Sequence, residues 1–469
     1  MPRLPVPHTI PELLAVISSQ QTQIASLAAH VAALERRLGL NSSNSGKPPS
    51  SDGPKRPPRT ASLRERSGRK PGGQKNHPGT TLERSATPDA VTDHFPEICT
   101  GCGAALTETM ATEHAARQVF DLPEPRPLAV TEHRAHRCQC AGCGATTRAA
   151  FPQAVTAPVQ YGPRIGAFVT YLQNYQLLPE KRVAALMADL FGVRLTTATI
   201  ANISTAYAAS IAGFVTSVRD HIACAKVKHL DETSFRITGK TQWLHVASTR
   251  WLTLYRTSPK RGSLPENFSG VIVHDHWKPY YTLDNVTHAL CNAHHLREVR
   301  ALIEIEQEDW ARHMRRLLRR ACHGTNLARD RGVAMPWRLI GLIERSYDRI
   351  VAAGLAFHEA QDPLVRAGKR GLHPHRIGHN LLIRLSTRKA DVLRFLTDPD
   401  VPFSNNQAEQ DGRMMKLRQK ISGGFRSTHG ADIFADIRTM LSTARKQGWN
   451  MLAALLLPPE MLIDQLRVA

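Results

Sequence analysis

Long apolar runs are absent from this sequence of 469 residues: no stretch approaches the roughly eighteen apolar residues that a membrane helix needs. The first residues, MPRLPVPHTIPELL, lack the charged region and apolar run of a secretory signal. Acidic residues are also scarce, with 40 Asp and Glu against 61 Lys and Arg and a formal net charge of +21. We therefore expect a cytoplasmic protein without a membrane partner, whose partners are polyanions such as nucleic acid.

Cysteine is too rare for a disulfide framework, since there are 8 in the whole chain. Five of them lie between residues 99 and 143, in CTGCG and CQCAGCG. Two C-x-x-C knuckles separated by a span of strand-like alternation predict a zinc ribbon with the ligands Cys99, Cys102, Cys140 and Cys143. Cys138 is one thiol more than the site needs and can replace a ligand. Four protein ligands leave no open position, so this Zn²⁺ is predicted to be structural.

Heptad spacing marks the N-terminal segment. Positions recur every seven residues in two series offset by four, which are Leu13, Gln20, Leu27, Leu34 and Ile17, Ile24, Val31, Leu38, and all of them except Gln20 are apolar. This seam predicts a coiled coil over residues 12–39 and a homo-oligomer formed through it. The alternative is an amphipathic helix packed on its own domain.

Residues 41–80 are rich in Pro, Gly and Ser and cannot form a core. Nine Lys or Arg and two acids lie between Asn41 and Lys75. Such a basic arm, which includes Lys70 and Lys75, can lie along DNA phosphates, although a solvated linker has the same composition.

Residues 161–206 have helical patterns: GPRIGAFVTYLQNYQL, PEKRVAALMADLFG and, after a Gly-Val turn, TTATIANISTAYAASI with Thr196 or Thr197 as the N-cap. This order suits a helix-turn-helix, in which Thr197, Thr199 and Asn202 would face base edges. An ordinary helical hairpin fits the same pattern.

Four strand-like runs begin near Ala225: KVKHLDETSFRI, TQWLHVASTR, WLTLYRTSPKR and SGVIVHDHWKPYY. Asp231 interrupts the first run and Asp275 ends the fourth, 44 positions later. Neighbouring strands can bring these two carboxylates together. Because like charges repel unless a cation lies between them, the pair predicts a Mg²⁺ site with Mn²⁺ as a substitute.

The segment FSNNQAEQDGRMMKLRQK, residues 403–420, is predicted to be a helix that begins at a capping box of Ser404 and Gln407 and ends near Gly423. Its charged residues share one face and are Glu409, Arg413, Lys416 and Lys420. Glu409 is predicted to complete the metal site, and the cations to follow the phosphates of a bound strand. The alternative is a solvated surface stripe.

Three long blocks resemble the insertion sequence 66 family of bacterial transposases: HLDETSFRITGKTQWLHVAST, GVIVHDHWKPYYTLDNVTHALCNAHHLREVRAL and SNNQAEQDGRMMKLRQKISGGFRSTHGADIFADIRTMLSTARKQG. The resemblance extends to the coiled coil, the segment GRKPGGQKNHPG and the cysteine region. It implies a bacterial, nucleoid-associated protein with an Asp-Asp-Glu triad, here Asp231, Asp275 and Glu409. Lys416, seven positions after Glu409, resembles a lysine that touches DNA near the cleaved end in several transposase families. Gln410 departs from the family, in which Arg often follows the glutamate.

The implied fold is multidomain α/β, with an RNase H-like catalytic core, a mixed sheet flanked by helices, and a helical insertion before the glutamate. The predicted organisation is a coiled coil (1–40), a basic linker (41–90), a zinc ribbon (91–155), a helical DNA-binding region (160–220), the first part of the core (222–300), the helical insertion (301–398), the glutamate helix of the core (399–447) and a C-terminal element (448–469). Arg297 and Arg426 are further predicted DNA contacts.

Several side chains compete for these roles. HALCNAHH, with His288, Cys291, His294 and His295, could be a second zinc site on a helix, could pack against the sheet, or could bring His294 and Arg297 to the catalytic phosphate. Asp284 is the rival of Asp275 but lies in a turn-like sequence. Glu232 faces the opposite side of its strand from Asp231. Trp243 and Trp277 suit a core, or stacking on a displaced base.

The leading hypothesis is a transposase that binds the terminal inverted repeats and the target DNA as double strands and performs Mg²⁺-dependent cleavage and strand transfer, with no covalent protein intermediate. The resemblance also implies small accessory proteins encoded by the element. The alternatives are a non-catalytic DNA-binding regulator or inactive remnant, and a nuclease that cuts without joining.

Overall fold

A computed structural model describes residues 9–41, 44–45, 82–121, 128–263, 267–364 and 375–468 of the chain. Its strands are β1 (Arg137–Gln139), β2 (Thr146–Arg148), β3 (Val227–Ile237), β4 (Lys240–Ser248), β5 (Thr253–Ser258), β6 (Gly270–His274) and β7 (Val286–Leu290). Its helices are α1 (Ile10–Gly39), α2 (Pro163–Thr170), α3 (Glu180–Phe191), α4 (Thr197–Ser210), α5 (Ala212–Cys224), α6 (Asn292–Ala301), α7 (Asp309–Asp330), α8 (Trp337–Glu359), α9 (Ile377–Thr387), α10 (Lys389–Thr397), α11 (Asn406–Ser422), α12 (Thr428–Gln447), α13 (Met451–Ala454) and α14 (Pro459–Asp464).

The heptad segment forms one helix, α1, of 30 residues. Its seam is exposed to solvent: Ile24 is 65%, Leu27 64% and Leu38 80% exposed. A row of exposed Leu, Ile and Val side chains is the surface that a partner helix covers in a coiled coil. The helix is observed, and its pairing with a second chain stays a prediction.

A mixed five-stranded sheet in the order β5-β4-β3-β6-β7 lies at the centre of the fold. β3, β4 and β5 are antiparallel neighbours, whereas β6 and β7 run parallel to β3. The turn between β3 and β4 places Thr238 and Gly239 at φ angles of 44° and 83°, the positive values that a two-residue hairpin loop requires. The four predicted strands are confirmed, and β7 is a fifth that the sequence did not reveal.

Helices cover the sheet and bury its apolar side chains. α5 and α12 pack with Leu230 and Ile272 in one hydrophobic cluster. α11 and the start of α12 pack on Phe235 and Val246 in a second cluster. The interval between Asp275 and Glu409 was predicted to be mainly helical, and α6 to α10 confirm this. These helices pack against Val271, Val273 and Ala289 of the two parallel strands in a third cluster.

The helical region before the sheet begins with α2, which continues through a π-helical turn at Tyr171–Tyr175. Thr196 is the N-cap of α4, since its hydroxyl accepts a hydrogen bond from the Thr199 N–H. Within the described ranges no single helix has the length and apolar composition to cross a membrane, and α4 and α5 pass that test only together, bent by 52°.

Asp436 on α12 provides a prediction for stability. Burial and the charge of Asp432, one turn earlier, raise the pKa of Asp436 to about 6. An acid whose pKa is raised on folding binds more protons in the folded state between about pH 4 and pH 6, so its contribution lowers stability as pH rises through that window. Allowing for partial exposure, Asp436→Asn is expected to raise the free energy of unfolding at pH 7 by about 1 kcal/mol. Thermal unfolding at pH 7 and at pH 4 checks this, because a gain of equal size at both values would exclude the carboxylate as its cause.

Candidate active site

Asp231 and Asp275 lie at the same level of two adjacent strands. β3 and β6 pair in parallel, with His229 opposite Val273. Asp231 and Asp275 are each two residues further along the chain, the first within β3 and the second directly after β6. The parallel register therefore carries both carboxylates to one region of the sheet, as the two acidic interruptions in the sequence predicted.

Helix α11 crosses this region and carries Glu409 in its first turn. Gly412 lies where α11 contacts the sheet: a Cβ at this position would lie 3.6 Å from Val246 Cγ2 and 3.9 Å from Asp231 Oδ2. Glu409 and Gly412 are three residues apart and so share one face of the helix. A small residue at position 412 therefore lets the helix that bears Glu409 lie directly on the strand that bears Asp231, because a side chain longer than a methyl group would meet Val246 and Asp231.

Asn405 fixes the start of α11. Its side-chain amide donates to the carbonyl of Leu230 at 2.7 Å, and its Oδ1 lies 2.9 Å from His229 Nδ1. Its backbone N–H donates to Cys291 Sγ at 3.1 Å. Asn405 is 1% exposed, so this contact joins the helix to the residue before Asp231 and to α6. This role of Asn405 was not predicted from the sequence, although an Asn directly before a helix is a known signal for a helix start.

The predicted capping box of Ser404 and Gln407 is wrong. Asn405 occupies the N-cap with φ −88° and ψ 23°, and its side chain makes no cap hydrogen bond. Gln407 donates from its side chain to the carbonyl of Thr249 instead. The end of the helix agrees with the prediction, because Gly423 is the C-cap at φ 71°. Tertiary hydrogen bonds to the sheet replace the local cap at the start of the helix.

Asp411 anchors the same helix on its other side. Lys446 Nζ of α12 donates to Asp411 Oδ2 at 2.7 Å, and the Tyr255 hydroxyl donates to the Asp411 carbonyl at 3.0 Å. Asp411 is thus neutralised by a cation, whereas Asp231 has no ion pair with a residue that the structure describes. This difference separates a carboxylate that holds the fold together from one that is available to a ligand.

The electrostatics of Asp231 reflect its neighbours. Burial raises the pKa of Asp231 to about 7, and the negative charges of Glu409 and Asp275 contribute further to the increase. Asp275 Oδ1 accepts a hydrogen bond from the Trp277 N–H at 3.0 Å. The three carboxylates are therefore close enough for the charges of two of them to disfavour ionisation of the third.

Glu409 is also drawn toward α6. Its Oε2 lies 3.5 Å from an Arg297 guanidinium nitrogen, and its Oε1 lies 3.7 Å from His294 Nδ1. Cys291, His294 and Glu409 have one ligand atom each, and these atoms all lie within 4.8 Å of one another. This is the one such group of His, Cys, Asp or Glu side chains in the described part of the chain. The carboxylate oxygens of Asp231, Asp275 and Glu409 are further apart, since they do not all lie within 4.8 Å of one another.

The donor set and its unsatisfied atoms fit a divalent cation. Three carboxylates provide the oxygen ligands that Mg²⁺ and Mn²⁺ prefer. Glu409 Oε1 is buried without a hydrogen-bond partner among the described residues, a condition that is costly unless a ligand compensates it. In a two-metal site the ions are about 4 Å apart. Two of the three carboxylates can therefore bind different ions without lying within contact distance of each other. The spacing of the three carboxylates is thus compatible with two ions.

The HALCNAHH motif is divided between two elements. His288 lies on β7 and its Nδ1 is 3.0 Å from His274 Nε2. Cys291 is the N-cap of α6, and His294 and His295 lie in the first turns of that helix. The expectation that all four residues are borne by one helix is wrong, because β7 extends to Leu290. His294 and Arg297 face Glu409, whereas His288 packs against the ring of Tyr281.

The basic stripe of α11 is exposed at Arg413, Lys416 and Lys420. Lys416 Nζ donates to the Ser234 carbonyl at 2.5 Å, and burial lowers its pKa. Arg426 is exposed next to Phe425, which forms a bridge with Ile237 at the end of β3. Three cationic side chains of α11 are therefore exposed to solvent, and one of them, Lys416, also donates a hydrogen bond to β3. Lys70 and Lys75 lie outside the described residues.

The rival acids have other environments. Asp284 is exposed in the connection before β7. Glu232 forms an ion pair with Arg261, and its side chain is 4% exposed. Arg261 lies over the rings of Trp243 and Trp277, 4.9 Å and 4.2 Å from their centroids. Glu232 therefore directs its carboxylate to a cation at the edge of the site.

Each C-x-x-C pair forms a turn of the same geometry. The Cys99 and Cys140 amides donate to Ala104 and Ala145 at 2.9 Å and 2.8 Å. Backbone N–H groups from the second cysteine of each pair lower the pKa of the Cys99 and Cys140 thiols. Among the described residues these four thiols do not form a group within 4.8 Å. Cys138 lies outside both turns, on β1.

These features define a class: a mixed α/β protein with three carboxylates from separate parts of the chain at one sheet region. The sequence model of the transposase IS66 family matches residues 158–433, more than half of the chain, and this span includes Asp231, Asp275 and Glu409. The chain belongs to the transposase IS66 family. A second model, described as a family of unknown function (DUF6444), matches residues 5–83.

A similarity to one curated protein is shorter. The uncharacterized protein y4jO of Sinorhizobium fredii (strain NBRC 101917 / NGR234) is 37% identical over 75 residues, which are 15% of this chain and 23% of that protein. The match thus spans less than a quarter of that relative.

Proposed function

We propose that the protein is a DNA transposase of an insertion sequence, which cuts the terminal inverted repeats and joins them to target DNA with an Asp-Asp-Glu triad. One arrangement carries this proposal. Asp231 on β3 is level with Asp275, which directly follows the adjacent parallel strand β6, and α11, which bears Glu409, lies against Asp231 at Gly412. The family to which the chain belongs supports the same role. The mixed sheet flanked by helices is compatible with an RNase H-like core.

Asp231, Asp275 and Glu409 are the residues that would hold Mg²⁺ or Mn²⁺. Such ions, when bound, activate water and stabilise the attacking and leaving oxygens of a phosphodiester displacement. The chain positions these ligands through Asn405, which holds the start of α11 against the Leu230 carbonyl. Arg297, 3.5 Å from Glu409, orients that carboxylate and presents a cation to a nearby phosphate.

The remaining parts are proposed to recognise DNA and assemble the complex. The helix pair α3 and α4 can enter a major groove, since Thr197 and Asn202 are exposed on α4. The cysteine turns are proposed to close around a structural Zn²⁺, and the basic residues 41–80 to follow phosphates. The exposed apolar seam of α1 is proposed to pair with a second copy. The protein would act in the bacterial cytoplasm at the nucleoid, with accessory proteins of the element as partners.

The experiment uses the purified full chain, Mg²⁺ and duplexes that carry the ends of the element with a supercoiled target plasmid. A transposase is expected to release 3′ hydroxyls at the end junctions and to join labelled ends to the plasmid. Cleavage without joining would instead identify a nuclease. Binding of the end duplex with neither reaction, in Mg²⁺ and in Mn²⁺, would identify a DNA-binding regulator or an inactive remnant.

The basic stripe provides a quantitative test of DNA binding. Each neutralised phosphate contributes about −0.9 to the slope of log K against log salt concentration. The double substitution Arg413→Ala with Lys420→Ala is therefore expected to reduce the magnitude of that slope by about 2. Titration of a fluorescent end duplex at several salt concentrations measures it. Arg338→Ala, at an exposed position on α8, is the matched control. An unchanged slope in the double variant would contradict the prediction that the basic stripe contacts DNA phosphates.

A further inference from the structure

The geometry points to a second metal site, for a zinc-class ion, formed by Cys291 Sγ, His294 Nδ1 and the carboxylate of Glu409. The ligand atoms of these three residues all lie within 4.8 Å of one another. This site differs from the proposed magnesium site in its donors and in its position, since Cys291 is the N-cap of α6 and His294 lies on that helix.

The ligand set selects the class of ion. A thiolate and an imidazole favour Zn²⁺ and related transition metals, whereas Mg²⁺ takes oxygen ligands. Zinc binds sulfur at about 2.3 Å and nitrogen or oxygen at about 2.0–2.2 Å, so tetrahedral ligand atoms are roughly 3.3–3.7 Å apart. His294 Nδ1 and Glu409 Oε1 are 3.7 Å apart. A small closing movement of one side chain brings the set to this geometry.

Two ligand atoms have unused bonding capacity. His294 Nδ1 and Glu409 Oε1 are both buried and have no hydrogen-bond partner among the residues that the structure describes. Buried polar atoms in native proteins are rarely left in this condition unless a ligand or ion satisfies them. Both atoms belong to the proposed site, and the 3.7 Å between them is longer than a hydrogen bond, so an ion between the two would satisfy both.

The surroundings hold the sulfur in place. Cys291 is 1% exposed and is the N-cap of α6, one turn before His294. Its Sγ accepts a hydrogen bond from the Asn405 N–H at 3.1 Å. Outer contacts of this kind orient metal ligands and tune their strength. Three protein ligands leave a fourth position open to water or to a DNA oxygen, as in catalytic rather than structural zinc sites.

Glu409 is common to both sites. If the proposed function holds, binding of an ion at one site affects binding at the other. A zinc-class ion bound with Cys291 and His294 engages the same carboxylate that the acidic triad needs. Occupation of the two sites is therefore mutually dependent. The zinc site would then control whether Glu409 is available to Asp231 and Asp275.

The purified full chain is first stripped of metal with a chelator and then equilibrated with Zn²⁺ alone. Elemental mass spectrometry measures the zinc that remains bound. Cys291→Ser and His294→Gln are each expected to bind one equivalent less than the wild type. Cys322→Ser, at a half-buried thiol on α7, is the matched control and should retain the wild-type content. Asp231→Asn should also retain it, because Asp231 is not a ligand of this site.

Equal zinc content in the wild type and in both α6 variants would overturn the inference. Loss of an equivalent in Asp231→Asn, with Cys291→Ser unchanged, would also overturn it and would assign the ion to the acidic triad. The cysteine turns contribute equally to every protein compared, and thermal melts exclude unfolding as the cause of a loss. Because no DNA is present, an absence of transposase activity does not affect the result.

Discussion

Asp275→Asn is expected to reduce Mg²⁺-dependent cleavage of the end duplex by about a thousand-fold or more, because it removes a charged oxygen ligand from the proposed site. Asp231→Asn is expected to have an effect of the same size. Duplex binding in the absence of Mg²⁺ should remain within a few-fold of the wild type, since neither carboxylate is a DNA ligand. Cleavage rates under single-turnover conditions and a binding titration measure the two quantities separately.

Matched controls come from the rival acids. Asp284→Asn removes an exposed acid in the following connection, and Glu232→Gln changes the residue next to Asp231, whose carboxylate pairs with Arg261. Both variants are expected to retain cleavage within about ten-fold, a loss far below that expected for a metal ligand. Wild-type activity in Asp275→Asn together with its loss in Asp284→Asn would reassign the second acid.

The melting temperature of the Asp231→Asn variant shows whether a loss of cleavage comes from the missing carboxylate or from unfolding. Burial raises the pKa of Asp231 to about 7, so the ionised side chain opposes folding at and above that pH. Asp231→Asn is therefore expected to melt at a temperature equal to or above that of the wild type at pH 8. An inactive variant that is also more stable would identify a residue kept for function at a cost in stability.

Local patterns in the sequence predicted much of the site. β-Branched runs interrupted by Asp231 and ended by Asp275 were enough to place Asp231 on one strand and Asp275 at the end of another, because strand alternation and length are local properties. The charge spacing after Glu409 likewise predicted α11. The register that makes Asp231 and Asp275 level depends on pairing between β3 and β6, which a single sequence suggests but does not specify.

Other features depend on contacts between distant residues. The start of α11 is fixed by Asn405 and Gln407 through hydrogen bonds to Leu230 and Thr249, so a local capping box was the wrong explanation. β7 was missed because its sequence, VTHAL, is short and runs directly into α6. The proximity of Cys291 and His294 to Glu409 arises from residues more than a hundred positions apart, which no local spacing indicates.

Gly412→Leu is expected to lower the cleavage rate by about a hundred-fold while the protein remains folded. A Cβ at Gly412 already lies 3.9 Å from Asp231 Oδ2 and 3.6 Å from Val246 Cγ2, so a larger side chain must displace α11 from β3. Overpacking of this kind costs about 1–3 kcal/mol, and a displacement of about 1 Å in catalytic groups can cost a factor of about 100. Single-turnover cleavage and thermal melting measure the two effects.

Gly412→Ala distinguishes displacement from the loss of a glycine. Its methyl group makes ordinary contacts at the distances above, and alanine favours a helix by about 1 kcal/mol over glycine, so cleavage should stay within a few-fold and the melting temperature should not fall. Gly213→Leu on α5, where a Cβ meets nothing within 4 Å, should leave cleavage unchanged. If Gly412→Leu cleaves at the wild-type rate, the close contact of α11 with β3 is not needed for the reaction, and Glu409 cannot act from the position proposed for it.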